Sequence, residues 1–384
     1  MSELSAEDSL RLNVLLAGEI EAIRIDDSAM TVRALTPRGE AAVKLHPTGR
    51  NDQYLRRVRE VLAGHAIGSP GGYPLFIQRW TRMGQARDKG LDRLLLLGEP
   101  EAVVSVAYSN GLTDELARRA WWAMQSADNA RRMLERECVV QGEMGRILAE
   151  YLIEHLPFEN APHTIIDTVR IVLQPGLTDE AARQRLWNKG AHDNAYYVGF
   201  LERMPDELPD RPAPRADLAA LQPKLAESTA RNNSYARLLE RVLSGAGQAF
   251  LAASEEVLRR PADQDVVISL LNVLAGYFVT LRPVDCGDGS VESILADMGA
   301  PCVGNQQPAS LREFLDVLPE LAEEACAMQV LSCMDAAVAA PVLSQTTASG
   351  TVMRKKLEPV ITPILRQLAT LQGQPFTAAS PRRR

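Results

Sequence analysis

The sequence predicts a mainly α-helical protein: a helical-repeat (HEAT-like) stack, preceded by a small N-terminal antiparallel β-meander and followed by a C-terminal helical domain. Three observations lead there. First, residues 111–130 and 176–195 share the pattern GLTDE-x-AR-x-x-x-W-x-x-x-x-x-DNA, with 11 identities in 20 ungapped positions. Repetition of this kind marks stacked helical units, each needing a neighbour to cover its apolar face. Second, aromatic residues are only 5% of the chain, while Ala, Leu, Arg and Glu abound, which favours helix over strand. Third, alternating strand-type runs gather before residue 47.

Element by element, residues 5–17 predict a helix with Ser5 as N-cap and Asp8 three residues on, as in a capping box. Runs 20–26 (IEAIRID), 30–35 (MTVRAL) and 41–46 alternate as strands, separated by Asp27-Ser28 and by Pro37-Arg38-Gly39. Helical period returns at 52–65 and ends near Gly64, and 68–74 (GSPGGYP) is a turn or loop. Each repeat copy reads as helix, tight turn, helix, tight turn, helix. Thr113 and Thr178 are expected N-caps, with Asp114–Glu115 and Asp179–Glu180 complementing the helix dipole from the first turn. Gly111 and Gly176 close the preceding helices, and Asp128 and Asp193 are expected to cap the following ones. The stretch 205–217 (PDELPDRPAPRAD), with four prolines, is the clearest boundary. Beyond it helices are expected at 216–243, 248–259, 264–281, 311–318, 320–343 and 353–371. A loop-rich insert at 283–310 should hold a short helix at 291–298, and the tail should be disordered. The expected domains are therefore 1–74 (small α+β), 75–209 (helical repeat with the duplication) and 217–372 (C-terminal helical), with a tail at 373–384.

The totals narrow the function classes. A chain of 384 residues with 46% hydrophobic and 24% charged residues has ordinary globular composition and room for two or three cores. A net charge of −7 argues against nucleic-acid binding by bulk electrostatics. The opening MSELSAEDSL carries no basic flank before an apolar run, so no secretory signal is expected. The most apolar stretch, 266–281, has Asn272 inside it and suits a buried helix better than a membrane span. Five cysteines in no regular framework suggest reduced thiols in a cytoplasm.

Candidate chemistry is sparse. Glu115/Arg118/Trp122 and Glu180/Arg183/Trp187 fall at i, i+3, i+7 on one helical face. That stripe is either a recognition surface with Trp as anchor or a Glu–Arg pair beside a wedged Trp, and its recurrence in both copies favours packing. Cys286, Cys302, Cys326 and Cys333 could form a sulfur-handling or metal site in which loop thiols meet helix thiols, or serve sulfur transfer or redox chemistry. Against this there is no C-x-x-C spacing and no histidine after His192, and Cys326/Cys333 lie in an apolar helix as core thiols. Asp285 and Asp288 would oppose a thiolate at Cys286. The glycines of 68–74 lack the lysine and hydroxyl of a phosphate loop. Residues 50–93 hold nine basic residues (Arg50, Arg56, Arg57, Arg59, Arg79, Arg82, Arg87, Lys89 and Arg93) against four acids, interleaved with Tyr54, Tyr73, Phe76 and Trp80. This is the best RNA-binding candidate, although a solvated helix face with core aromatics accounts for the same letters. His46, His65, His155, His163 and His192 show no metal spacing, and no G-x-S-x-G elbow occurs. No catalytic, cofactor-binding or metal-ligating residue is assigned.

The strings GSPGGYP, RWTRMG, LLLLGEPEAVV, GLTDELARRAWWAM, LERECVVQGEMG and VLQPGLTDE are long and compositionally specific. In them the chain resembles the sulfur reduction protein DsrS family, encoded with the dissimilatory sulfite reductase cluster of sulfur-oxidising bacteria. The resemblance runs through about residues 5–210. It implies a soluble cytoplasmic accessory protein that supports or regulates the oxidation of stored sulfur, with proteins of that pathway as partners, rather than a catalyst. The family offers no catalytic motif, so no residue inherits a role.

Overall fold

The computed structural model describes residues 4–68, 90–284, 286, 289–298, 308–344 and 350–376. Over these the protein is mainly helical, with one three-stranded antiparallel sheet near the N-terminus. The chain divides into two compact units. The first is Met1–Pro157 with Gln174–Thr178; the second is Phe158–Leu173 with Asp179–Arg384.

The first unit begins with α1 (Ala6–Leu16), whose N-cap Ser5 accepts the Asp8 amide at 3.1 Å. Strands β1 (Ala22–Asp26), β2 (Thr31–Thr36) and β3 (Gly39–Lys44) follow in the order β1-β2-β3. The Asp26 carboxylate holds the first turn by accepting the Ala29 amide at 2.8 Å and the Ser28 hydroxyl at 2.7 Å. Gly39, at φ +123°, takes the second turn where a side chain would be strained. Register pairs Ile23 with Ala34 and Ile25 with Val32. The buried face of the sheet meets Leu12 and Leu16 of α1 and Tyr54, Leu55, Val58 and Leu62 of α2 (Asn51–Ile67) in one core. Helix α2 ends at Gly68 in the left-handed conformation, a turn beyond Gly64. Asp8, wholly buried, accepts the Tyr54 hydroxyl at 2.5 Å and the His46 amide at 2.7 Å, fastening α1 to α2 and to the end of β3.

Then come α3 (Leu91–Leu94), α4 (Pro100–Ala107), α5 (Asp114–Ala123), α6 (Ala127–Met133), α7 (Glu137–Val140) and α8 (Glu143–His155). Helices α4, α5 and α6 are the three helices of the first repeat copy, and α5 packs on β1. Thr113 caps α5 as expected, its hydroxyl accepting the Leu116 amide at 3.2 Å. Asp128, in contrast, lies inside the first turn of α6, which Ser126 caps.

The second unit holds α9 (Pro162–Val172), α10 (Glu180–Lys189) and α11 (Ala195–Arg203), the helices of the second copy. Here Asp179, not Thr178, is the N-cap, accepting the Ala182 amide at 2.7 Å, so the identical letters are read one residue later. Asp193 accepts the Ala195 amide at 3.0 Å just ahead of α11. Helices α9 and α11 approach closely at Gly199, where a Cβ would stand 2.7 Å from Val169.

The stretch 205–217 is tied into this unit by Arg241–Asp206 contacts at 2.6 and 2.7 Å and by Arg215 to Glu324 at 3.0 Å. The helix expected at 216–243 is two, α12 (Leu218–Ala230) and α13 (Ser234–Leu243). Asn232 turns left-handed at φ +61°, and Asn233 accepts the Tyr235 and Ala236 amides as a fresh N-cap. Next are α14 (Gly245–Arg259), α15 (Gln264–Tyr277), α16 (Val291–Met298) and α17 (Ala309–Val317). The helix expected at 320–343 is also broken: α18 (Ala322–Cys333) stops where Asp335 caps a short 3-10 turn, before α19 (Ala340–Leu343). Helix α20 (Gly350–Gln372) packs on α18 and α14. Helix α15 packs against α9, α11 and α18, which explains its unbroken apolar run. No helix among the described residues is long and apolar enough to cross a membrane.

Candidate functional site

The repeated stripe serves two different packing tasks. In the first copy, Glu115 accepts from Arg118 Nε and Nη2 at 2.7 Å each and from Arg119 Nε at 2.7 Å. Hydrogen bonding by Arg118, ahead of the opposing effect of burial, holds the Glu115 carboxyl down to about 2. Arg118 also reaches Glu21 beside the sheet at 2.6 Å. Trp122 donates its indole N–H to Glu40 at 3.3 Å and carries the Arg24 guanidinium 4.6 Å above its ring. The stripe therefore joins α5 to the meander. In the second copy Trp187 is buried, against Tyr197 at 4.4 Å and edge-on to Phe200 at 5.2 Å. Glu180 and Arg183 instead line a groove of about 410 Å³ with Asp206, Leu208 and Pro212 of the proline-rich stretch.

The basic segment 50–93 is described only in part, since 69–89, with Arg79, Arg82, Arg87, Lys89, Tyr73, Phe76 and Trp80, lies outside the described residues. The GSPGGYP loop falls there too, apart from Gly68. Of the rest, Arg50 pairs with Asp52, Arg57 with Glu60, and Arg59 with Asp27 at 3.0 Å. Tyr54 is wholly buried with its hydroxyl on Asp8, so it offers no face to a base. Over residues 50–68 the segment is a paired helix face over a core aromatic.

The cysteines depart from expectation. Cys286 and Cys333 form a disulfide, with Cα atoms 5.8 Å apart. Cys333 is buried as expected, but not as a thiol: the last turn of α18 points it at the insert that begins after Arg282. Arg282 braces the same junction through Asp335 at 2.8 Å. Cys326 is buried, Cys138 donates to the Leu112 carbonyl at 3.2 Å, and Cys302 lies outside the described residues, as do Asp285 and Asp288. Among the described residues no cluster of His, Cys, Asp and Glu is arranged to hold a metal.

One concavity of the second unit has a mixed lining. A cavity of about 510 Å³ opens among α11 (Leu201, Glu202), Pro205, α13 (Arg241) and α15. Helix α15 contributes Ser269, Asn272, Val273 and Gly276, spaced i, i+3, i+4, i+7 and so on one face, together with Tyr277. Arg241 stacks its guanidinium 3.9 Å from the Tyr277 ring centre while Nε and Nη2 hold Asp206. Burial, foremost, pushes the Tyr277 phenol up; Arg241 acts against this and Asp206 adds to it. Burial also raises the Glu202 carboxyl, which Arg170 opposes from 3.5 Å and Asp167 reinforces. Sequence reading passed over this site because its residues come from three helices and no two of the polar ones form a motif. The i, i+3 pair of polar residues, Ser269 and Asn272, with Gly276 a turn further on the same face of an otherwise apolar stretch, is the available signal.

No protein-family model, curated protein or solved structure matches the chain.

Proposed function

We propose that this is a cytoplasmic accessory or regulatory protein of dissimilatory sulfur metabolism, serving the oxidation of stored sulfur by binding proteins of that pathway rather than by catalysis. The resemblance of residues 5–210 to the DsrS family carries the reading. The helical repeat supports it in kind, because stacked helices present extended surfaces to partners. The test is deletion of the gene in a sulfur-oxidising bacterium that carries it. Stored sulfur should then be consumed more slowly, with growth on organic carbon unchanged, and tagged protein should co-purify with sulfite reductase subunits. Unaltered sulfur consumption together with no reductase subunit in the eluate overturns it.

One observation favours a second reading, a thiol-based sulfur-transfer or redox protein: the Cys286–Cys333 pair. If the thiol pool of a reducing cytoplasm opens this pair, it acts as a cycling couple rather than a permanent staple. Mass spectrometry after loading with sulfane sulfur separates the readings. Persulfide on Cys286 or Cys302 supports the second, and unmodified thiols support the first. An RNA-binding role for 50–93 would need crosslinked RNA that is lost on Arg56→Ala with Arg57→Ala.

A further inference from the structure

The cavity among α11, α13 and α15 has the composition of a ligand site rather than of a packing fault. A void left by imperfect packing is lined by apolar groups. Here one acid and one guanidinium share the lining with two hydroxyls and an amide. The volume of about 510 Å³ falls in the range that takes small molecules.

Two polar groups in it have capacity that the described residues leave unused. Arg241 spends Nε and Nη2 on Asp206, which leaves the Nη1 edge with two donors. Asn272 accepts the Ala336 amide through Oδ1 at 3.1 Å, so its Nδ2 donors remain. The Tyr277 hydroxyl is buried and faces the Asp206 carboxylate, so it is already engaged. The Arg241 and Asn272 donors suit an acid group. Glu202 is the complement: its half-exposed carboxylate lines the same cavity, with Arg170 3.5 Å away as its only cation among the described residues. A ligand ammonium would give that carboxylate a second opposite charge. Leu201, Pro205 and Val273 supply the apolar remainder of the wall.

We propose that this cavity binds a free α-amino acid with an aliphatic side chain, its carboxylate on Arg241 and Asn272, its ammonium on Glu202, and its side chain on Leu201, Pro205 and Val273. The inference is independent of the sulfur-metabolism reading and would add a small-molecule input to it.

Gly276 gives a clean way to close the site. It lies in α15 and lines the cavity, and a Cβ there would meet nothing within 4 Å. Gly276→Leu should therefore fill the cavity without disturbing the helix, whose propensity it improves. The probe is L-leucine, titrated calorimetrically into the purified full chain, against isocaproate, which lacks the amino group, and isoamylamine, which lacks the acid. L-Leucine should bind saturably, each analogue at least about tenfold more weakly for its lost charge-assisted contact, and Gly276→Leu should abolish binding. Glu202→Gln, at a half-exposed position, should fold normally and erase the preference for L-leucine over isocaproate. No binding of L-leucine, binding that survives Gly276→Leu, a preference that survives Glu202→Gln, or either analogue binding as tightly as L-leucine overturns the assignment.

Discussion

The two repeat copies make one sequence feature do unequal work, and Asp114 is where the difference can be measured. Asp179 caps its own helix by accepting one amide, that of Ala182. Asp114, its counterpart, reaches across to α8, where it accepts the Glu143 amide at 3.0 Å and the Met144 amide at 3.1 Å. The N-cap position of α8 is Gly142, which has no side chain to substitute. A Cβ at Gly142 would stand 2.2 Å from the Asp114 carboxylate, so the glycine admits the cap. Loss of a local N-cap costs about 1 kcal/mol. Asp114→Ala strips two charge-assisted bonds at a half-buried site and should cost about 2 kcal/mol. Hydrogen exchange is the assay. Amides 143–147 should exchange about 30-fold faster in Asp114→Ala, the factor equivalent to that energy. In Asp179→Ala the first turn of α10 should exchange about fivefold faster, with α8 unchanged. Asp114→Asn, with one acceptor left, should fall between wild type and Asp114→Ala. Protection of α8 that is the same in wild type and Asp114→Ala would refute the argument.

Four other outcomes are expected. Gly199→Ala should lower the stability of the second unit by about 1–3 kcal/mol in urea titration, because its methyl would overlap Val169 across α9 and α11. Trp187→Ala should cost about 3–5 kcal/mol in the same unit through the hole left beside Tyr197 and Phe200. Glu115, depressed to about 2 chiefly by Arg118, contributes stability that is present above its ordinary value of 4.5 and lost as pH falls from there toward 2. The pair is half exposed, so the effect is about a few tenths of a kcal/mol. Glu115→Gln should remove that part of the acid-induced decline, as read by circular dichroism. Cys286→Ser should destabilise the second unit by up to about 4 kcal/mol under oxidising conditions, the entropy of a loop with a sequence separation of 47, and by little in excess dithiothreitol.

Much of the fold was legible because it rests on local chemistry. The Ser5 cap, the β1–β2–β3 alternation and the short helix at 291–298 are set by neighbours in the chain, and all three appear where the letters put them. The two broken helices have one cause. Asn232-Asn233 and Asp335 each end a helix and cap the next turn within an apolar pattern that continues past the break. Helical periodicity alone therefore runs two elements into one. Thr178 and Asp179 are both competent caps, and the letters do not say which the backbone uses. The pairing of Cys286 with Cys333 depends on where the insert returns to α18, which no local spacing encodes. The cavity was less legible still: Glu202 and Arg241 read as ordinary solvated helix residues until α15 brings Tyr277 and Asn272 beside them.

The division of the chain bears on how the protein is made. Between residues 157 and 179 the chain leaves the first unit, forms α9 in the second, returns for Gln174–Thr178, and leaves again. The ribosome therefore cannot finish the first unit at residue 157, because its last segment follows α9. In that segment Gln174 donates to the Leu134 carbonyl at 2.9 Å and the Gly176 carbonyl accepts from Arg146 at 3.2 Å. Completion of the first unit thus waits on the start of the second, and no single cut in the gene yields either one whole.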